Sequence, residues 1–281
     1  RWLDGGLGLS VHQHQSTSRH PHDKHFVFVD SIPDGTCRIY LPRRDYRSQD
    51  WPSPARPADL LNYPISDDLP PVNLIRRLIT ARVDATSVHP VDMALIRNTP
   101  NSLLLISCRK GAAVITRRRD SSDRLLFRYQ VVNKLEPAPD GSIAWRPVPL
   151  PTVDPLGFVG HLPAEFLAAE HDQQAWLVAT SDTEYPDAVV SLARSMLWVP
   201  SLDATARRHA PDIVLTASRG WYFGRNSTPG TMHGHPFRDS MLSTWFVAGP
   251  GIRRNTRITT PCRLTDLTPT ILDCLGRLPA G

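Results

Sequence analysis

The segment Gly230-Thr231-Met232-His233-Gly234-His235-Pro236-Phe237-Arg238-Asp239-Ser240-Met241 gathers the residue types best suited to chemistry. Imidazole is the usual nitrogen ligand for zinc. Gly230 and Gly234, on either side of His233, let a metal or phosphate come close to the backbone. A loop of this kind beside strand ends is where an open α/β sheet collects ligand and metal groups. His233 is therefore the candidate metal ligand, with His235 as the second choice. Taken alone, a glycine-flanked loop histidine is more often structural than ligating.

Other clusters carry a blander reading beside the chemical one. His12, His14, His20, His22 and His25 crowd an amino-terminal stretch. That stretch is polar and loop-like and lacks carboxylate or cysteine partners at fixed spacing, so adventitious or absent metal binding is favoured. Asp182 and Glu184 imitate a carboxylate dyad but flank a helix start, which suits capping and dipole roles. Thr36 is an available hydroxyl after a Pro33-Asp34-Gly35 turn. Cys37, Cys108, Cys262 and Cys274 are widely spaced with no CxxC pair, which fits neither a zinc knuckle nor a disulfide scaffold. Cys274 sits on an apolar helical stripe and reads as a small core residue. Trp176, Trp198, Trp221 and Trp245 read as core, and Asn226-Ser227-Thr228 fits a glycosylation sequon.

The elements that position these residues follow from periodicity. Residues 25–30 and 37–41 read as a hairpin about the Pro-Asp-Gly turn. Residues 72–81 have the spacing of an amphipathic helix. Four strand-like runs, 91–97, 102–109, 111–117 and 125–132, predict a small antiparallel insertion or edge sheet. Helical patterns follow at 163–169, 174–180 and 187–197. Asp212–Ala217 and Ser243–Gly249 are short, apolar and β-rich, fit for buried strands. Thr265-Asp266 caps a helix over 267–275 that Gly276 closes.

Composition bounds the class. At 281 residues and 41% hydrophobic content the chain can bury a sizeable core, and its 27 prolines argue against long uninterrupted helices. No run of 18 apolar residues exists, so no membrane span is expected. The net charge is +5, and 29 of the 32 basic residues are Arg. Arg117-Arg118-Arg119, Arg207-Arg208 and Arg253-Arg254 are short, scattered and unaccompanied by any nucleic-acid motif, so no specific nucleic-acid binding is expected. The chain starts at Arg1 and stops soon after a Leu-Pro, and both ends read as cut from a longer protein.

The order of four segments carries a family resemblance. Pro211-Asp212-Ile213-Val214-Leu215 is followed by Gly230-Thr231-Met232-His233-Gly234. Trp245-Phe246-Val247-Ala248-Gly249-Pro250-Gly251-Ile252 comes next, and then Leu264-Thr265-Asp266-Leu267-Thr268-Pro269-Thr270-Ile271-Leu272-Asp273-Cys274-Leu275-Gly276. Over 211–276 this resembles the carboxy-terminal end of the alkaline phosphatase superfamily, above all its type I phosphodiesterase and nucleotide pyrophosphatase-like members. Upstream, Gly111–Arg117, Asp154-Pro155-Leu156-Gly157 and Tyr185-Pro186-Asp187-Ala188 look like bacterial relatives.

The resemblance implies an α/β fold, the carboxy-terminal part of an alkaline phosphatase-like three-layer sandwich. Residues 1–150 would be a strand-rich insertion or cap with loops, and 151–281 the last part of the core. It further implies a hydrolase of phosphorylated small molecules that holds two divalent ions, usually Zn2+, to activate a nucleophile and stabilise an in-line transition state. His233 matches the metal-ligating His of the family's H-G turn. The family's nucleophile and other ligands lie upstream of the matched part, and Asp4-Gly5-Gly6 has Gly5 where the family's Asp-His-Gly pair has His. A fragment with one matched ligand is expected not to turn over substrate, since a catalytic zinc ordinarily takes three protein ligands. The alternative is a non-catalytic relative that keeps the fold as a binding or structural module.

Overall fold

The computed structural model describes residues 10–13, 26–30, 34–41, 55–65, 69–82, 88–197, 211–224 and 233–277. Ten strands join in one sheet. In chain order these are β1 (Ser10–Gln13), β2 (Phe26–Asp30), β3 (Thr36–Tyr40), β4 (Val91–Thr99), β5 (Ser102–Ser107), β6 (Gly111–Arg119), β7 (Leu125–Pro137), β8 (Ile143–Pro147), β9 (His171–Asp172) and β10 (Ile213–Ala217). Their spatial order is β1-β2-β3-β10-β4-β5-β6-β7-β8, with β9 paired to β7. Only the edge pair β1–β2 is parallel; every other pairing is antiparallel.

An antiparallel sheet usually leaves one face wet and so alternates apolar with polar residues. β5 instead reads Ser-Leu-Leu-Leu-Ile-Ser and is buried at all six positions. The reason is a cover on each face. Leu104 and Ile106 point to one side with α1 (Leu74–Ile79) and the 3-10 helix Pro57–Leu61. Leu103 and Leu105 point to the other, with α3 (Gln173–Thr180) and α4 (Ala188–Met196). Helices on both faces of a sheet make the architecture mixed α/β. Among the described residues no helix is long and apolar enough to cross a membrane.

Local chemistry sets the helix ends. Asn73 caps α1 by accepting from the Arg76 amide at 2.8 Å, and Asp172 caps α3 through the Ala175 amide at 2.8 Å. Between β8 and α3 lies the short α2 (Ala164–Ala168). Asp187 stands in the left-handed region at φ 55°, ahead of α4, and caps nothing with its side chain. Its carboxylate is taken instead by Arg263, whose Nε and Nη2 donate at 2.7 and 2.6 Å. This bidentate pair fastens the 243–277 segment to the body of the protein. α5 (Arg238–Met241) and α6 (Leu267–Cys274) follow among the described residues, and Gly276 ends α6 with a left-handed φ of 62°.

The periodicity readings hold for the 26–41 hairpin, the four strands from 91, the helices at 74–79, 164–168, 173–180, 188–196 and 267–274, and strand 213–217. Three findings differ. Residues 243–249 form no strand, and Phe246 is 94% exposed. Both edges of β10 are already taken, by β3 and β4, so this apolar run finds no free edge beside it. Cys274 is exposed rather than core, because α6 buries none of its residues. Asp266 makes no side-chain cap to α6; its carboxylate accepts instead from the Arg263 amide at 2.8 Å. The strands from 91 onward, β4 to β8, form the antiparallel flank of the sheet, with β10 from the second half of the chain beside them.

A buried carboxylate organises the turn that leads out of β8. Asp154 accepts from the Tyr129 hydroxyl at 2.8 Å and from the amides of Leu156, Phe158 and Val159 at 2.9, 3.2 and 2.7 Å. Leu156 and Phe158 are thereby held in the core beside Trp176. Asp154→Ala leaves these donors without their acceptor and is expected to cost about 3 kcal/mol. Urea unfolding measures it; a loss below about 1 kcal/mol would show that solvent takes over the role.

Candidate functional site

The loop after β10 returns to the start of β3. Asp34 forms an antiparallel bridge with Phe223, its amide donating to the Phe223 carbonyl at 3.0 Å and its carbonyl accepting at 2.8 Å. Next to it, the Gly35 carbonyl accepts from the Ala217 amide at 2.8 Å, and the Gly35 amide donates to the His233 carbonyl at 2.8 Å. Asp34-Gly35 and His233-Gly234-His235 are therefore laid against each other at the end of the central strands. The Asp34 Oδ1 stands 3.4 Å from His233 Nδ1. The His233 side chain is 84% exposed and that of Asp34 18%.

Two glycines make this approach possible. Gly234 has φ +81°, and a Cβ there would lie 1.7 Å from Asp34 Oδ1. A Cβ on Gly35 would lie 2.6 Å from the His235 ring. A Gly35 methyl would also meet the His235 backbone nitrogen at 2.7 Å, which cannot shift cheaply, and at Gly234 a methyl would have to displace the Asp34 carboxylate from a left-handed backbone that favours glycine.

Behind the loop stands a chain of aromatic and charged contacts. The His235 ring stacks on Phe237 with centroids 5.7 Å apart, and Phe237 meets Tyr185 at 5.3 Å. Tyr185 donates to Asp92 Oδ2 at 2.7 Å and accepts from Lys110 Nζ at 2.6 Å. Burial pushes the Asp92 carboxyl up, against the pull of the Lys110 charge and the Tyr185 hydroxyl. Burial and the Asp92 charge push the Tyr185 phenol far up, so it stays a proton donor. Arg219 lies over the Phe237 ring at 4.8 Å and pairs with Asp239 and Glu184. Arg238 pairs with Asp182 at 2.9 Å, and its amide donates to the Glu184 carbonyl. Asp182 and Glu184, which read as helix-start carboxylates, in fact hold the arginines that fix this loop.

Of the residues singled out by sequence, His233 lies exposed at the site, whereas the Nδ1 of His235 is buried without a hydrogen-bond partner among the described residues. Thr36 opens β3, half-buried and in register with Thr216. Trp176 is fully buried, while Trp221 and Trp245 are half-buried. The side chain of His12, residues His14, His20, His22, His25, Trp198, the 226–228 sequon and Asp4-Gly5-Gly6 lie outside the described residues. Asp34 is the partner that sequence reasoning missed. It reads as the middle of a turn, and nothing local marks a contact with a histidine nearly two hundred positions away.

An imidazole nitrogen and a carboxylate oxygen are both zinc donors. Among the described residues, however, no group of three or more His, Cys, Asp or Glu is placed to hold a metal ion. The Asp34–His233 pair is two donors, short of the three protein ligands of a catalytic zinc. The described residues alone do not complete such a centre. No family model, curated protein or solved structure matches this chain.

Gly234→Ala should force Asp34 away from His233 and cost about 1–2 kcal/mol from the left-handed angle alone. Thermal unfolding and the His233 ring resonances report the two effects. A variant with unchanged stability and unchanged His233 signals would show that the loop is not held against Asp34.

Proposed function

We propose that this chain forms part of a metal-dependent phosphoric ester hydrolase, acting on phosphodiesters or phosphomonoesters of small molecules. The observation that carries the reading is the Asp34–His233 pair, an imidazole and a carboxylate brought together at the end of the central strands through two glycines that admit no side chain. The ordered segments over 211–276 and their resemblance to the alkaline phosphatase superfamily support it independently. A sheet covered by helices on both faces is compatible with the finer assignment to an alkaline phosphatase-like three-layer sandwich. In this reading His233 is a zinc ligand, Asp34 is its neighbouring donor, and the remaining ligands and the nucleophile come from outside the described residues.

The chain's own groups have defined tasks in that reading. The Gly35 amide fixes the His233 carbonyl and so the start of the loop, while Phe237, Tyr185 and Lys110 hold its far end against the sheet.

Gly5, standing where the resembled family's Asp-His-Gly pair has His, favours a second reading, a non-catalytic module that keeps the fold for binding. Zinc content by mass spectrometry and hydrolysis of p-nitrophenyl phosphate and bis(p-nitrophenyl) phosphate separate the two. The hydrolase predicts about two zinc ions per chain with turnover, and His233→Ala lowering both by about tenfold or more. Metal-free, inactive protein would establish the module, and full activity in His233→Ala would remove the histidine from the site.

A further inference from the structure

Asp212 is given no task at the proposed site, yet its carboxylate is buried at the start of β10. It directly precedes β10, is 9% exposed, and sends its two oxygens to two different parts of the chain. Oδ2 accepts from the Leu41 amide at 2.7 Å, just past the end of β3. Oδ1 accepts from the Ala55 amide at 3.0 Å, just ahead of the 3-10 helix Pro57–Leu61. The Asp212 amide meanwhile donates to the Ile39 carbonyl at 2.9 Å, so the residue itself is anchored on β3.

We infer that Asp212 is a proton-operated latch between Leu41 and Ala55: ionised, it holds both amides tightly, and protonated, it loosens its hold on one. The reason is the inventory of acceptors. A carboxylate offers acceptors at both oxygens, while a carboxylic acid turns one of them into an O–H donor. The protonated oxygen keeps only part of its acceptor capacity, so the amide contact made to it is weakened.

The surroundings set where the latch works. Burial is the largest influence and pushes the Asp212 carboxyl up to about 7, while the Leu41 and Ala55 amides and the Arg97 charge on β4 pull the other way. On the 3-10 helix, the Arg56 guanidinium is occupied by Asp59 at 2.9 Å, and Arg38 on β3 is exposed. The proton is thus exchanged near neutral pH, where most carboxylates are fully ionised. Because the folded value lies above the ordinary one of 3.8, the folded chain binds this proton more tightly than the unfolded chain does. The stability it contributes is complete below about pH 4, declines as pH rises, and is lost above about pH 7. The latch therefore closes at some cost in stability, and the buried charge is the cause.

NMR on the full chain tests this without reference to metal or hydrolysis, so it stands or falls separately from the proposed function. Between about pH 5 and pH 9, the Asp212 13Cγ signal and the Leu41 and Ala55 amide protons should shift together, with one midpoint near 7. Asp212→Asn should abolish the shift at both amides. In parallel, the wild-type melting temperature should fall relative to Asp212→Asn as pH rises from about 5 to about 7, then run parallel to it. An Asp212 13Cγ midpoint in the ordinary carboxylate range overturns the latch. So do amides that stay still while Asp212 titrates, or that still shift in Asp212→Asn. If Asp212→Asn fails to fold, the wild-type coupling of the 13Cγ signal to the two amides decides alone.

Discussion

The position of β10 governs much of the rest of this structure. Its five residues are all buried, and both of its edges are occupied, by β3 and β4. A strand buried on two faces and two edges has all of its backbone hydrogen-bonding groups within the sheet. To reach that place the chain must come back from beyond residue 210 and enter between strands laid down before residue 100. Everything attached to the two ends of β10 is then fixed in space. At its start, Asp212 is drawn into the interior and has to find donors there, which Leu41 and Ala55 supply. At its end, Ala217 bonds to Gly35 and Ser218 bonds to the Pro90 carbonyl, so the loop that follows leaves the sheet beside Asp34.

From that exit the site is assembled by exclusion as much as by attraction. Gly35 and Gly234 let two backbones come closer than side chains would allow, and His233 meets Asp34 as a result. The loop cannot drift, because Phe237 is seated between the His235 ring, the Tyr185 ring and the Arg219 guanidinium. Tyr185 is itself immobilised by Asp92 and Lys110, a buried carboxylate and a half-exposed ammonium joined through one phenol. Asp92 and the Tyr185 hydroxyl are buried in this network, so moving either would leave a polar group without its partner where water cannot readily replace it. The 243–277 segment is held differently, by the Arg263–Asp187 pair, and leaves Phe246, Ile258 and Leu264 in solvent.

Local pattern determined the elements of this protein well. Alternation and apolar runs were sufficient for the strands at 91–119, 125–132 and 213–217, and 3.6-residue spacing for the helices at 74–79, 188–196 and 267–274. These signals act within ten or so residues, through backbone geometry and the need to bury one face. They were silent or misleading wherever the outcome depended on a distant neighbour. The run 243–249 is apolar enough for a strand but has no open edge beside β10, and Cys274 lies on an apolar stripe with no core beneath it. His233 could be picked out by residue type alone, whereas Asp34, Lys110 with Tyr185, and the two amides that meet Asp212 could not. Each of those pairings is decided by which strand enters beside which, a choice among long-range chain closures that leaves no mark on the residues close by in sequence.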